Sequence, residues 1–287
     1  MINKFLNYLA NEKRFSIHTV VAYKKDIEQF FDCIGNVDLD VINHKDIRAY
    51  LVSMVEEGKE NSTINRKLSS LKTFFKFLKR QNEILINPML KVQGLKTKKR
   101  LPQFVPENQI WDETIFCEND DEFSNLRDEL ILELFYQTGI RLDELINLKN
   151  VNISSNSIKV LGKRSKERII PIAPDFFLLI SNYRRVKLDN NIISEFLINT
   201  KNSKKVTPKF VYSKVNYYLG KATNLKKKSP HVLRHTFATH MLNNGATLES
   251  IKKLLGHTDL VATQIYTHNT FKQVKNIYKS SHPRGGE

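Results

Sequence analysis

Five short segments of the second half of the sequence concentrate the side chains that could do chemistry. They are Thr138-Gly139-Ile140-Arg141-Leu142-Asp143-Glu144-Leu145, Gly162-Lys163-Arg164-Ser165-Lys166-Glu167-Arg168, Ser229-Pro230-His231-Val232-Leu233-Arg234-His235-Thr236, Leu254-Leu255-Gly256-His257 and Ile265-Tyr266-Thr267-His268. Together they hold what phosphoryl transfer requires. Its transition state places extra negative charge on the non-bridging phosphate oxygens, and an arginine, planar and permanently charged, holds two such oxygens at once. A nucleophile must attack, and an acid must protonate the leaving oxygen. His231 and Arg234 stand three apart after the helix-starting Pro230, so they share one helix face. Arg141 follows Gly139, a helix-ending residue, where a side chain can face a cleft. Lys163 falls at the tip of an expected hairpin, and Tyr266 follows His257 with a short helical pattern between them.

Each residue also has an ordinary explanation. A hairpin lysine is by itself a solvated charge. His231 and His235 are four apart, but Val232 stands where the zinc-protease pattern needs Glu, so no metal is expected. Asp143 and Glu144 are adjacent on a helix and diverge, which disfavours a paired-carboxylate metal site. Glu144 fits a supporting role instead, orienting Arg141, and His235 fits a structural hydrogen bond. A lone tyrosine on an amphipathic helix is usually packed. Tyr23, Tyr50, Tyr136, Tyr212, Tyr217 and Tyr218 are read that way, and the aromatic residues near 210–218 as core.

The elements that must position these groups follow from spacing and punctuation. In the first ninety or so residues, Ser16 can cap a helix with Val20, Tyr23, Ile27, Phe30 and Phe31 inward, ending at Gly35. Asn43 can cap the next (Ile47, Leu51, Met54; end at Gly58), and Ser62 a third (Ile64, Leu68, Leu71, Phe75, Leu78). Lys24, Lys25, Arg48, Arg66, Lys67, Lys72, Lys76, Lys79 and Arg80 fall between the apolar positions and predict a bundle with one basic face. Asn87-Pro88 stops the last helix, and 91–106, with Gly94, Pro102, Pro106 and Lys96, Lys98, Lys99 and Arg100, reads as an extended basic linker. Beyond it, Leu126–Tyr136 and Leu142–Leu148 are helical, Ser157–Leu161 and Arg168–Ile172 form a hairpin, and Thr207-Pro208 and Ser229-Pro230 open later helices. Phe271, Val274, Ile277 and Tyr278 mark a tail helix.

Bulk properties narrow the partner. The chain has 287 residues, which at roughly 100–200 per domain suggests two domains. It carries 46 Lys plus Arg against 30 Asp plus Glu, a net charge of +16, with a pI near 9.7. Such an excess favours a polyanion, since each neutralised phosphate releases condensed counterions. Cys33 and Cys117 are too few for a disulfide framework or a zinc site of the usual ligand count. The longest apolar stretch of the second half, Phe176–Ile180, is far short of the ~20 residues a membrane span needs. A soluble intracellular protein with no membrane association is expected.

The five segments resemble the tyrosine recombinase (phage integrase) family, and within it the Xer type. That pattern has an Arg in a TGxRxxEL-like stretch, a hairpin Lys in GKGxKxR, then HxLRH, LGH and a C-terminal IYTH tyrosine. All five occur here in family order over 138–268, and the first domain and the tail Ser281-His282-Pro283-Arg284 are Xer-like too. The resemblance implies a mostly α fold: an N-terminal, SAM-like core-binding helical bundle (1–90), a linker (91–106), and an α-rich catalytic domain (107–287) with a small antiparallel β-hairpin or sheet and a tail helix that packs on the neighbouring subunit. It implies cutting and rejoining of DNA through a 3′-phosphotyrosyl intermediate and a Holliday junction, without cofactor or metal. Tyr266 would be the nucleophile, Arg141 and Arg234 the phosphate clamp, Lys163 the general acid, His231 a base or proton partner, and His257 a phosphate hydrogen bonder. Here Arg164 replaces the glycine that usually follows the hairpin lysine, which leaves Lys166 as an alternative acid. Implied partners are a double-stranded DNA recombination site, a homo-tetramer or a hetero-tetramer with a paralogue, and a DNA-translocase activator, in a cytoplasmic, nucleoid-associated setting. Chromosome-dimer resolution and mobile-element integration or excision both fit. A type IB topoisomerase-like relaxing activity and a non-catalytic DNA-binding protein are the competing readings.

Overall fold

The computed structural model describes residues 1–35, 37–97, 103–111, 113–117, 121–162, 167–256 and 268–285, with side chains for all of these except 113 and 268–274. Lys163, Lys166, His257 and Tyr266 lie outside the described residues. The chain divides into two compact units, Met1–Arg100 and Leu101–Glu287. It is mostly helical, and its described residues form one small antiparallel sheet.

In the first unit, α1 (Ile2–Asn7), α2 (Ile17–Ile34), α3 (His44–Glu56) and α4 (Asn61–Arg80) bury their apolar stripes together. Phe30 of α2 meets Tyr50 and Phe75 edge-on at 5.3 and 6.0 Å. Ser16 and Asn43 cap α2 and α3 as their residue types dictate, the latter in a reciprocal box with Asp46. Helix α4 begins earlier than its expected cap: Glu60 is the N-cap, and Ser62 donates to its carboxylate at 3.2 Å. The expected basic face is also narrower. Asp26 is buried, and a buried carboxylate must be paired. It draws Lys67 into the interior at 3.5 Å and holds Arg66 and Ser70, leaving Lys72, Lys76, Lys79 and Arg80 on the outside of α4.

Residues 91–97, expected as linker, are pinned to this unit. Asn61 Nδ2 donates to Lys96 O, and Asn65 exchanges hydrogen bonds with Leu95, all at 2.8 Å. Gly94 passes so close to Asn65 that a Cβ would meet Oδ1 at 2.8 Å. At the other end of the stretch, Val105 N donates to Thr236 Oγ1 at 2.9 Å within the second unit.

The second unit is organised around α5 (Glu122–Thr138), which is buried on nearly every side. Such a helix shows no one-sided apolar stripe, and its interior polar groups are paired: Asp128 with Arg127 at 2.8 Å and Lys214 at 2.7 Å, and Glu133 with Trp111 Nε1 at 2.8 Å. After α6 (Leu142–Ile146) come β1 (Ile153–Ser154), β2 (Ser157–Leu161) and β3 (Glu167–Pro171), an antiparallel sheet in the order β1-β2-β3 with Ile158 opposite Ile170 and Val160 opposite Arg168. Helices α7 (Pro174–Asp189), α8 (Pro208–Ala222), α9 (Pro230–Asn243), α10 (Leu248–Leu255) and α11 (His268–Ser281) follow. Tyr218 of α8 is core, but Tyr212 and Tyr217 point outward, because Val211, Val215, Tyr218 and Leu219 already fill the inward stripe.

The described end of α11 folds back on its own domain. Tyr278 is fully buried and stacks on His282 at 5.1 Å, His282 Nε2 lies 3.1 Å from Tyr136 O, and Arg284 pairs with Glu133. The side chains of Phe271 and Val274 lie outside the described residues. Among the described residues, no helix is long and apolar enough to cross a membrane.

Candidate active site

Two helices end where the candidate site begins. Helix α5 stops at Gly139 (φ 58°) and α10 at Gly256 (φ 65°), both in the left-handed region. A helix C-terminus leaves carbonyls without intrahelical partners, and they carry partial negative charge. Arginines fill them. Arg234, on α9, donates Nη1 to Gly139 O and Nη2 to Leu255 O, the latter at 2.8 Å. Arg141, the residue preceding α6, donates Nη2 to Gly256 O at 3.1 Å. Arg168, inward on β3, donates Nε to Leu254 O at 2.8 Å. Three consecutive carbonyls at the end of α10 therefore gather three guanidinium groups that are far apart in sequence. Gly139 has no room for a side chain: a Cβ would stand 2.6 Å from Phe237 Cδ1 and 2.7 Å from Leu255 Cδ2.

Glu144 ties two of these cations together. It accepts from Arg141 N and Arg141 Nη1, both at 2.8 Å, and from Arg168 Nη1 and Nη2 at 2.7 and 2.8 Å. Asp143, beside it, faces solvent, so the two carboxylates diverge. Burial works to raise the Glu144 carboxyl, but the bonds and charges of Arg168 and Arg141 outweigh it and hold it at about 2. Burial pushes the Arg234 guanidinium down to about 9; Arg141 and Arg168 repel it further and Glu144 opposes them. It stays charged at neutral pH. Among the described residues, three guanidinium groups against one carboxylate leave the cluster two positive charges in excess. Each guanidinium has five N–H donors, and the partly exposed Arg141 and Arg234 retain donors beyond the bonds named above. The arrangement suits a phosphate.

His231 lies in the first turn of α9, one turn before Arg234, and is exposed, with no hydrogen-bond partner among the described residues. His235 does not make the structural hydrogen bond expected of it among those residues. It is half-buried, its ring meets Phe104 at 6.5 Å, and burial lowers its pKa. The structure thus brings together Arg141, Glu144 and Arg234 and adds Arg168, the last residue of the segment 162–168, to which the sequence assigns no role in the site. The available signal was its alternation with Ile170 and Ile172, an arginine at an inward strand position.

The second unit and the first each match a known family. Residues 103–273 match the phage integrase family, and residues 2–82 match the phage integrase N-terminal SAM-like domain. The tyrosine recombinase XerC of Staphylococcus haemolyticus is 37% identical over 286 residues, covering 98% of this chain and 96% of that protein. The chain belongs to the phage integrase family. The tyrosine recombinase XerC of Thermodesulfovibrio yellowstonii is also 37% identical, over 294 residues, covering 100% of this chain and 97% of the relative. The fold is shared with XerH site-specific recombinase bound to palindromic difH substrate (TM-score 0.70, 19% identity, 96% of this chain and 82% of that one). It is shared as well with a lambda integrase dimer bound to a COC′ core site (TM-score 0.69, 19% identity, 92% and 98%). The span matched by the phage integrase family holds the whole arginine cluster and His231, together with Lys163, His257 and Tyr266.

Proposed function

We propose that this protein is a site-specific tyrosine recombinase in which Arg141 and Arg234 clamp the scissile phosphate and Tyr266 attacks it. The observation that carries this reading is the cluster at the ends of α5 and α10, where, among the described residues, guanidinium groups outnumber carboxylates and Arg141 and Arg234 have donors beyond the bonds they make there. Attack by the Tyr266 oxygen on phosphorus forms the 3′-phosphotyrosyl bond and expels the 5′-oxygen. Lys163, or Lys166 in its place, protonates that oxygen. His231, on the same helix as Arg234, acts as the base or proton partner that takes up the phenol proton of Tyr266, and His257, directly after Gly256, hydrogen-bonds the phosphate. Bond energy is kept in the phosphotyrosine, so rejoining needs no nucleotide. Residues 1–90 form the core-binding domain and 107–287 the catalytic domain, joined through 91–106. The net charge of +16 supports double-stranded DNA as the partner. A tetramer on paired sites, with or without a paralogue and a translocase activator, and a cytoplasmic, nucleoid-associated setting complete the reading.

The test begins by mapping where the wild-type protein becomes covalently attached to genomic DNA. A nicked duplex carrying the mapped site should then trap a covalent adduct with wild type. Tyr266→Phe should trap none while retaining the shift of the same duplex in a gel. An adduct with Tyr266→Phe refutes the assignment. Relaxation of plasmids lacking the mapped site, at the rate of plasmids that carry it, would point instead to topoisomerase action.

A further inference from the structure

Arg168 ends the GKGxKxR-like segment and has no part in the chemistry just described. It is 4% exposed, on the inward face of β3, opposite Val160. Its single planar fork makes three bonds at once, two to Glu144 and one to Leu254 O. The same Glu144 carboxylate orients Arg141, and Leu254 O adjoins the carbonyl that anchors Arg234. The Arg168 side chain also lies against Gly256, where a Cβ would meet its Cδ at 3.1 Å.

We propose that Arg168 is a positioning residue for strand cleavage: through Glu144 and Leu254 O it fixes Arg141 and the end of α10 in the geometry that receives the scissile phosphate. This rests on the recombinase reading above. The rival account is an ion pair that serves only to hold β3 to α6. Geometry favours positioning, because Glu144 is shared, oxygen by oxygen, between Arg168 and Arg141. A buried ion pair is also a weak stability device, often replaceable by apolar residues without loss. Lysine at 168 keeps the charge but offers no planar fork, and so cannot make the three bonds together.

The experiment uses the full-length protein and the nicked duplex carrying the mapped genomic site, and reads adduct formation in single turnover, the Kd for the duplex and the melting temperature on each preparation. Arg168→Lys should form adduct about 10–100-fold more slowly, by analogy with partners that orient metal ligands, whose loss costs about that much, with the Kd unchanged within about twofold. The paired variant Glu144→Leu/Arg168→Met removes both charges and should melt near wild type yet cleave as slowly. In an Arg141→Lys background, Arg168→Lys should add little further loss. Wild-type cleavage by either Arg168 variant, or a full multiplicative loss in the Arg141→Lys background, overturns the proposal. If the paired variant does not fold, Arg168→Lys alone decides. Failure of the wild-type protein to form any adduct overturns the recombinase reading itself, and the proposal with it.

Discussion

Replacing Glu144 with Gln tests the electrostatics of the cluster. The carboxylate accepts four hydrogen bonds from Arg141 and Arg168, whereas an amide has one acceptor oxygen and turns N–H donors toward a guanidinium. Glu144 titrates at about 2 in the folded chain against an ordinary 4.5. At ~1.36 kcal/mol per pKa unit, that difference corresponds to about 3 kcal/mol of stability near neutral pH. Removing one partner of a buried pair costs about 3–5 kcal/mol, which agrees in size. For a domain of this length, ~3 kcal/mol lowers the melting temperature by roughly 6–12 °C. The pH dependence supplies a second, independent check. Because the folded value is depressed, the contribution is complete above about pH 4.5 and is lost as pH falls through about 2. Melting followed by circular dichroism at pH 7, 4 and 2.5 should therefore show a large gap between wild type and Glu144→Gln that narrows with acid. A gap below about 2 °C at pH 7, or one that persists unchanged at pH 2.5, would refute the claim that an ionised Glu144 holds the arginines.

Two further outcomes follow from the fold. Gly139→Ala places a Cβ against Phe237 and Leu255 at a positive φ, and should destabilise the protein by about 2–4 kcal/mol in urea unfolding; a loss below about 1 kcal/mol contradicts the packing. Burial lowers His282 to about 3 from 6.5; the hydrogen bond to Tyr136 O opposes it, and His240 and Arg284 add to it, so the tail clasp is fully stable above pH 6.5 and weakens as pH falls toward 3. At pH 5 the loss is about 2 kcal/mol, read as faster amide exchange at Tyr278 and His282 after correction for intrinsic rates. His282→Gln should remove that pH dependence, and equal protection at pH 5 and 8 in wild type would count against it.

Much of the architecture was written locally. Helices α2, α3, α8 and α9 start at their expected caps or Pro positions, and α5 and α10 stop at glycines, because caps and left-handed turns depend on residues within one turn of each other. Strand β2 spans the segment read from alternation, and β3 is displaced from its expected span by one residue. The short β1 was not foreseen: two residues carry no period. Family membership was likewise legible, since it rests on residue types in order.

What the chain alone left open was which charges turn inward. Lys67 looks like an ordinary exposed cation in sequence, and the alternation around Arg168 gives its face but not its partner, yet both are buried, because Asp26 and Glu144 wait for them across the fold. A charge leaves water only when a partner compensates the lost hydration, and those partners are 41 and 24 residues away in sequence. The tail shows the same dependence. Helical spacing placed Tyr278 on an apolar stripe, but only the pocket formed by α5, α9 and the chain near Trp111 decided that Tyr278 is covered by its own domain.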